Sequence, residues 1–158
     1  MLGTREGEQE DNSAEIRIEN MFTYKHTIPS TEYNNLRIGA GWRGLSLEQA
    51  QTGLDNAAYL ISAWDEDRPV GVARVISDRG YIYLIVDVIV APEYQHQGIG
   101  RHMVESIEEW LLHEKEGKPT MMVYLMAAEG KEGFYEQFGF KRRPGEGHMG
   151  AGMTKWME

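Results

Sequence analysis

The most constraining feature of this sequence is an apolar strand that runs directly into a long amphipathic helix. Residues 81–90 are apolar at almost every position, which is typical of a central strand covered on both faces. Apolar residues then recur at helical spacing and form one stripe: Ile99, Met103, Ile107, Trp110 and Leu111. A strand with two buried faces needs helices on both sides of its sheet, so this stretch predicts a layered α/β domain.

Helix and strand signals alternate along the rest of the chain. Glu15–Glu19 predicts a first strand, Ser30 a cap for a helix over Thr31–Ile38, and Ser46–Gln49 a capping box for a second helix. The remaining elements are predicted strands at Ala57–Trp64, Val70–Ser77, Tyr81–Val90 and Met121–Ala127, a short helix at Gly133–Phe138 with Phe134 and Phe138 in the core, and closing strands at Phe140–Arg143 and Met153–Met157. This order predicts a mixed α/β (α+β) fold with a mostly antiparallel sheet flanked by helices.

Composition narrows the class of protein. The chain has 158 residues, which fits one domain over residues 13–158 after a disordered acidic tail at residues 1–12. Lys and Arg number 16 against 25 Asp and Glu, so the net charge of −9 disfavours nucleic acid and membrane surfaces as partners. The absence of cysteine excludes thiol nucleophiles and thiolate metal sites, and the five histidines lack metal-ligand spacing. With no apolar leader, we expect a cytoplasmic protein without a metal.

The turn between the apolar strand and the long helix carries the chemical signal. Pro92 ends the strand, and Gly98 and Gly100 lead into the helix. Unpaired N–H groups and the positive end of the helix dipole then point outward, which suits a phosphate or pyrophosphate. Taken alone, the two glycines are better explained by a tight turn between the strand and the helix.

Two motifs resemble those of the general N-acetyltransferase (GNAT) superfamily. Gln95-His-Gln-Gly-Ile-Gly100 is similar to its Q/R-x-x-G-x-G/A acyl-CoA signature, and Gly133–Phe140 is similar to its F-Y-x-x-x-G-F segment. The resemblance extends from about Ile16 to Trp156. It implies the GNAT fold, acetyl-CoA as cosubstrate, an amine acceptor, and a homodimer as in many members.

The resemblance also implies roles for individual residues. The strand backbone at Val88–Val90 should pair with the pantetheine arm, while the turn should surround the pyrophosphate. Gln95 and Gln97 stand where many relatives have basic residues, so Arg101 or Lys131 is expected to supply charge. The implied cofactor-binding residues are Val88, Ile89, Val90, Gln95, His96, Gln97, Gly98, Ile99, Gly100, Arg101 and Lys131.

Tyr135 corresponds to the family tyrosine near the CoA sulfur, where a phenol can protonate the departing thiolate. The amine must also lose a proton, and Asp87 or a chain of waters is the candidate acceptor of it. We expect Leu84, Val86 and Val88 on the cleft side of their strand, with Asp87 on the opposite side unless a β-bulge intervenes. Three further residues, Tyr33, Trp42 and Arg43, either border the acceptor site or pack structurally.

The resulting hypothesis is an N-acetyltransferase that acetylates a primary amine of a small molecule or peptide by direct attack. One alternative is a non-catalytic acyl-CoA-binding or sensing module, which the apolar Leu84 and Val86 leave open. A doubly wound nucleotide-binding domain is a weaker alternative, because the hairpins between Ala57 and Val90 conflict with its parallel crossovers. Gly145–Gly150 reads G-x-G-x-x-G, yet it lacks the strand–helix context of a dinucleotide site.

Overall fold

The computed structural model describes residues 21–145 and 150–156. The predicted tail and the predicted strand Glu15–Glu19 lie outside these residues. The strands are β1 (Thr23–Lys25), β2 (Tyr59–Asp65), β3 (Arg68–Ser77), β4 (Ile82–Val90) and β5 (Met122–Leu125). The helices are α1 (Ser30–Gly39), α2 (Leu47–Asp55), α3 (Ile99–Lys115) and α4 (Glu132–Glu136), with a 3-10 turn at Pro92–Tyr94.

The five strands form one sheet in the order β1-β2-β3-β4-β5. The first four strands pair antiparallel, whereas β4 and β5 pair in parallel. A parallel pair needs a crossover connection, and α3 lies between these two strands in the chain. The mixed, mostly antiparallel sheet predicted from the sequence is therefore confirmed.

Apolar cores lie on both faces of the sheet. On one face, Ile99, Met103 and Ile107 of α3 are fully buried in a cluster with residues of β2, β3 and β4. On the other face, α1 and α2 pack on the sheet, with Tyr33 and Ala50 almost without solvent contact. The two cores explain why Tyr81–Val90 is apolar at both odd and even positions.

The helix starts agree only in part with the sequence. The Ser46 hydroxyl accepts a hydrogen bond from the Gln49 N–H at 3.2 Å, and the Gln49 side chain accepts one from the Ser46 N–H, so the predicted capping box is confirmed. Ser30, in contrast, is the first residue of α1, and Pro29 occupies the cap position without a side-chain hydrogen bond. The prediction of a Ser30 cap is therefore wrong.

The predicted closing strands are also wrong within the described residues. Residues 140–143 and 153–156 have no strand structure, and Phe134 and Phe138 are half-buried rather than core residues. Strand pairing needs a partner backbone, which the short-range pattern of the sequence does not report. Over residues 21–145 and 150–156, no helix is long and apolar enough to cross a membrane. In the same residues, no three His, Asp or Glu side chains group as metal ligands.

Candidate functional site

A β-bulge interrupts β4 near its end. Val72 pairs with Ile89 and Arg74 pairs with Val86, so Ala73 lies opposite both Asp87 and Val88. Asp87 has a φ of +54°, a left-handed conformation that non-glycine residues rarely adopt. A conformation of this kind costs about 1–3 kcal/mol and persists only where surrounding contacts hold it.

The bulge changes which side chains share a face of β4. Before it, Tyr83 and Ile85 belong to the core beneath α3, whereas after it Val88 and Val90 pack against that core. Val88 therefore does not share a face with Leu84 and Val86, and that prediction is wrong. Asp87 instead lies on the face toward α1 and α2, as the sequence allowed in the case of a bulge.

The sheet opens just before the bulge. The parallel register between β4 and β5 runs from Ile82 opposite Met122 to Ile85 opposite Leu125, where β5 ends. From residue 86 onward, β4 continues beside β3 only. Within residues 21–145 and 150–156, no strand therefore pairs with that edge of β4 along residues 86–90, which include the predicted pantetheine contacts.

The turn from β4 into α3 leaves several backbone donors free of helical partners. Gly98 is the N-cap with a φ of +82°, and the first backbone bond of the helix runs from the His102 N–H to the Gly98 carbonyl at 3.0 Å. The three N–H groups between them have no carbonyl one turn back to bond. The first turn of α3 holds no acidic residue, and a Cβ placed on Gly98 meets nothing within 4 Å. These features suit an anion.

Helix α4 packs against the start of α3 and the end of β4. A Cβ placed on Gly100 would lie 3.6 Å from Val90 Cγ2 and 3.7 Å from Phe134 Cζ. Arg101 donates a hydrogen bond to the Gln137 side chain and lies 3.6 Å from Glu105. The open edge of β4, the start of α3 and α4 therefore meet at one place.

Tyr135 lies on α4 at this junction and is half-buried. Its ring packs edge-to-face against Phe134 and Phe140, with centroids 5.0 Å and 6.2 Å away. Burial raises the pKa of the Tyr135 phenol to about 12. Because of this high pKa, the phenol is protonated near neutral pH. No hydrogen bond joins its hydroxyl to another described residue, so its O–H is available as a donor.

The opposite side of the site contains a cluster of charges around Asp87. Its carboxylate accepts hydrogen bonds from Arg74 Nε at 2.6 Å, Arg37 Nη1 at 2.9 Å and the Tyr33 hydroxyl at 2.5 Å. The Asp87, Arg37 and Arg74 side chains are only 10–13% exposed. Burial and the Asp87 carboxylate both raise the pKa of the Tyr33 phenol.

Sequence reasoning did not find Arg37 and Arg74. Arg74 is the one charged residue of the predicted strand Val70–Ser77, and Asp87 is the one charged residue of the next strand of the hairpin. Opposite charges placed alone in two neighbouring strands were a signal for this ion pair. Arg37 carried no comparable signal, because an arginine on an amphipathic helix is usually solvated.

The remaining residues predicted to bind acetyl-CoA or to border the acceptor site differ in their exposure to solvent. Gln95, His96, Gln97 and Gly98 are exposed along the turn, while the Ile99 and Ile89 side chains are buried in the two cores. Lys131 is exposed at the start of α4 and makes no ion pair within the described residues. Tyr33 is only 1% exposed and packs in the core, whereas Trp42 and Arg43 lie exposed on the loop of residues 40–46 between α1 and α2, here named the α1–α2 loop.

Comparison with protein-family models matches residues 56–142, more than half of the chain, to an acetyltransferase (GNAT) domain. Among solved structures, a protein of methicillin-resistant Staphylococcus aureus, named "Probable Acetyltransferase", is 31% identical with a TM-score of 0.76. The alignment covers 86% of this chain and 100% of that one.

Curated relatives are similar over shorter parts of their length. An uncharacterised ycf52-like N-acetyltransferase of Prochlorococcus marinus is 27% identical over 128 residues, which are 78% of this chain and 69% of that protein. The soybean (Glycine max) histone acetyltransferase TAP1 is 35% identical over 116 residues, covering 66% of this chain. The aligned part is 48% of TAP1, so the chain spans about half the length of that relative.

Proposed function

Because the chain belongs to the GNAT acetyltransferase family, we propose that it transfers the acetyl group of acetyl-CoA to a primary amine. The observation that carries this proposal is the meeting of three features at one junction. These are the open edge of β4, the start of α3, which has no side-chain cap, and the protonated Tyr135. The edge of β4 offers a place for an extended arm, the start of α3 suits an anion, and Tyr135 is the proton donor.

Acetyl-CoA fits this junction through main-chain contacts. The N–H groups at Gly98–Arg101 are suited to the pyrophosphate, with the helix dipole behind them. The open edge of β4 at Val88–Val90 offers hydrogen bonds to the amides of the pantetheine arm, much as a sheet edge accepts an added strand. Lys131, exposed at the start of α4, is the proposed source of an additional positive charge.

The proposed reaction is a direct displacement at the thioester. The amine nitrogen attacks the carbonyl carbon, the new C–N bond forms, and the C–S bond breaks with release of CoA thiolate. Tyr135 donates its phenolic proton to that sulfur. The phenolate is then reprotonated from solvent.

The amine nitrogen also releases a proton, and a chain of waters is the better-supported acceptor of it. Asp87 is the alternative, but its carboxylate oxygens already accept three hydrogen bonds, two of them from guanidinium groups. Both oxygens are thus held in place by side chains of α1 and β3, which is the geometry of a structural carboxylate. We therefore assign Asp87 to positioning the bulge.

The test is release of CoA thiol from acetyl-CoA in the presence of an amine panel. The panel contains a lysine peptide, polyamines, arylalkylamines, amino acids and aminoglycosides, and TAP1 makes the lysine peptide the first acceptor to try. Because the chain has no cysteine, a thiol reagent reports CoA without background from the protein. Thiol release that depends on an amine supports the transferase.

The non-catalytic acyl-CoA-binding module gives a different result. Such a module is stabilised by acetyl-CoA in a thermal-shift assay but releases no thiol with any acceptor. Absence of both binding and release would refute the transferase and the binding module together.

A further inference from the structure

The side chain of Arg37 contacts both the α1–α2 loop and the bulge of β4. Its Nη1 donates to Asp87 at 2.9 Å, and its Nε donates to the Arg43 carbonyl in the loop at 3.3 Å. The guanidinium also lies over the Trp42 ring of the same loop, 5.6 Å from its centroid. One planar, charged group thus touches both the strained residue of β4 and the loop.

Arg74 holds Asp87 from the other side but does not reach that loop. Its Nε donates to Asp87 at 2.6 Å and its Nη1 to the Gly53 carbonyl of α2 at 2.7 Å. Arg74 is therefore a natural comparison for Arg37, because both pair with the same carboxylate.

The α1–α2 loop has a second attachment that does not involve Asp87. The side-chain amide of Asn34 donates to the Leu45 carbonyl at 2.9 Å and accepts from the Leu45 N–H at 2.8 Å. Farther out, the Arg43 guanidinium lies 4.2 Å from the Trp156 ring centroid, so the loop also contacts the C-terminal segment of residues 150–156. The loop and this segment stand on the face of the sheet to which Asp87 points.

From these contacts we propose that Arg37 and Arg74 are positioning residues that hold Asp87, and with it the bulge. Of the two arginines, Arg37 also couples the bulge to the α1–α2 loop, which forms a wall of the acceptor site. Two charge-assisted hydrogen bonds offset the cost of the left-handed conformation at Asp87. The bulge lies where the edge of β4 opens, so its position sets where the thioester meets the amine. The proposal rests on the transferase function for its kinetic consequences and on geometry alone for its structural ones.

Three variants separate the contacts that hold Asp87 from the contacts that hold the α1–α2 loop. Arg74→Met removes the hydrogen bonds to Asp87 and to the Gly53 carbonyl of α2 but none of the contacts described above for the α1–α2 loop. We therefore expect kcat to fall roughly 10- to 100-fold with little change in the acceptor KM, since small displacements at a reacting centre have effects of this size. Asn34→Ala loosens the loop only and should raise the acceptor KM about threefold or more while kcat is kept. Arg37→Met should do both. Arg37→Lys keeps the charge but cannot make all three contacts, so it should rescue less than half of the kcat loss.

A control and a second measurement make the test independent of the acceptor. Arg79 lies in the turn between β3 and β4, away from the bulge, and pairs with Glu114, so Arg79→Met should leave both kinetic constants unchanged. Amide hydrogen exchange read by NMR should accelerate at Asp87 and Val88 in both arginine variants, but at loop residues only in the Arg37 and Asn34 variants. Circular dichroism checks that each variant is folded. If Arg37→Met or Arg74→Met is not folded, the lysine variant at the same position replaces it.

The outcomes distinguish the two proposals. Equal effects of Arg37→Met and Arg74→Met on the loop amides and on the acceptor KM would overturn the coupling through Arg37. Unchanged exchange at Asp87 and Val88 in both variants would overturn the positioning role. If wild-type protein transfers no acetyl group to any amine, the transferase proposal fails, while the exchange pattern still decides whether Arg37 couples the loop to the bulge.

Discussion

Burial raises the pKa of the Tyr135 phenol to about 12, which keeps this proposed proton donor in its neutral form over the physiological pH range. Its neutral form, the one able to donate a proton, is present below that pKa and is lost only above it. We expect Tyr135→Phe to lower kcat roughly 10- to 100-fold, at the lower end of general acid catalysis because a thiolate is already a good leaving group. The ratio of wild-type to variant kcat should stay constant from pH 7 to about pH 10, and steady-state kinetics across that range measures it.

Two results would remove Tyr135 from this role. One is an unchanged kcat at every pH. The other is a ratio that collapses near pH 10, which would show that the phenol titrates as a solvent-exposed tyrosine does. Phe134→Leu on the same helix is a control for packing, since it perturbs the aromatic contacts without removing a hydroxyl.

A second prediction for a single residue concerns the role of Asp87 in proton transfer. Asparagine tolerates the left-handed conformation and keeps one acceptor oxygen, so it retains a hydrogen bond from only one of the two arginines, and it cannot take up a proton. If waters accept the proton of the amine, Asp87→Asn should lower kcat about tenfold and leave the acidic limb of the pH profile of kcat/KM in place. A loss of 10²–10⁴-fold together with disappearance of that limb would identify Asp87 as the general base instead.

At the scale of an element, the start of α3 is the proposed binding site for the pyrophosphate of acetyl-CoA. A side chain at Gly98 would project into open space, where the pyrophosphate is proposed to lie. Gly98→Asp should raise the Kd for acetyl-CoA roughly 100-fold or more, because it places a negative charge beside the phosphates. Isothermal titration calorimetry measures the change.

Gly98→Asn is the matched control for this prediction. It brings a side chain of nearly the same size into the same left-handed conformation but adds no charge. We expect a smaller loss of affinity than with Asp. Wild-type affinity in a folded Gly98→Asp variant would contradict the placement of acetyl-CoA at this turn.

At the scale of the whole molecule, binding of acetyl-CoA should be visible as global stability. At 100 times its Kd, a ligand specific for the native state stabilises it by about 2.7 kcal/mol, which corresponds to a rise in Tm of roughly 5–10 °C for a chain of this size. Deletion of residues 1–12, which are acidic and nearly devoid of apolar side chains, should change neither the Tm nor this rise. Differential scanning calorimetry of both forms tests this, and a large fall in Tm on truncation would show that the tail packs on the domain. Light scattering of the same samples tests the predicted homodimer.

The elements of the fold and the place of the turn were determined by local patterns in the sequence. The apolar run of β4, the stripe of α3 and the capping box at Ser46 each depend on residues within a few positions of one another. Such patterns report burial and backbone conformation, because side-chain spacing must follow the helix or strand period. The glycine turn before α3 was recognised for the same reason.

The charges of the site were decided by the tertiary structure. The spacing of side chains along β4 left the face of Asp87 open, because one extra residue in a bulge reverses every face that follows it. Arg37, Arg74 and Asp87 come from α1, β3 and β4, and only the packing of α1 on the sheet brings the three side chains together. The predicted closing strands are absent from the described residues for a related reason, since a strand exists only where another backbone pairs with it. Local pattern therefore determined the elements, whereas long-range pairing determined which charged groups face each other.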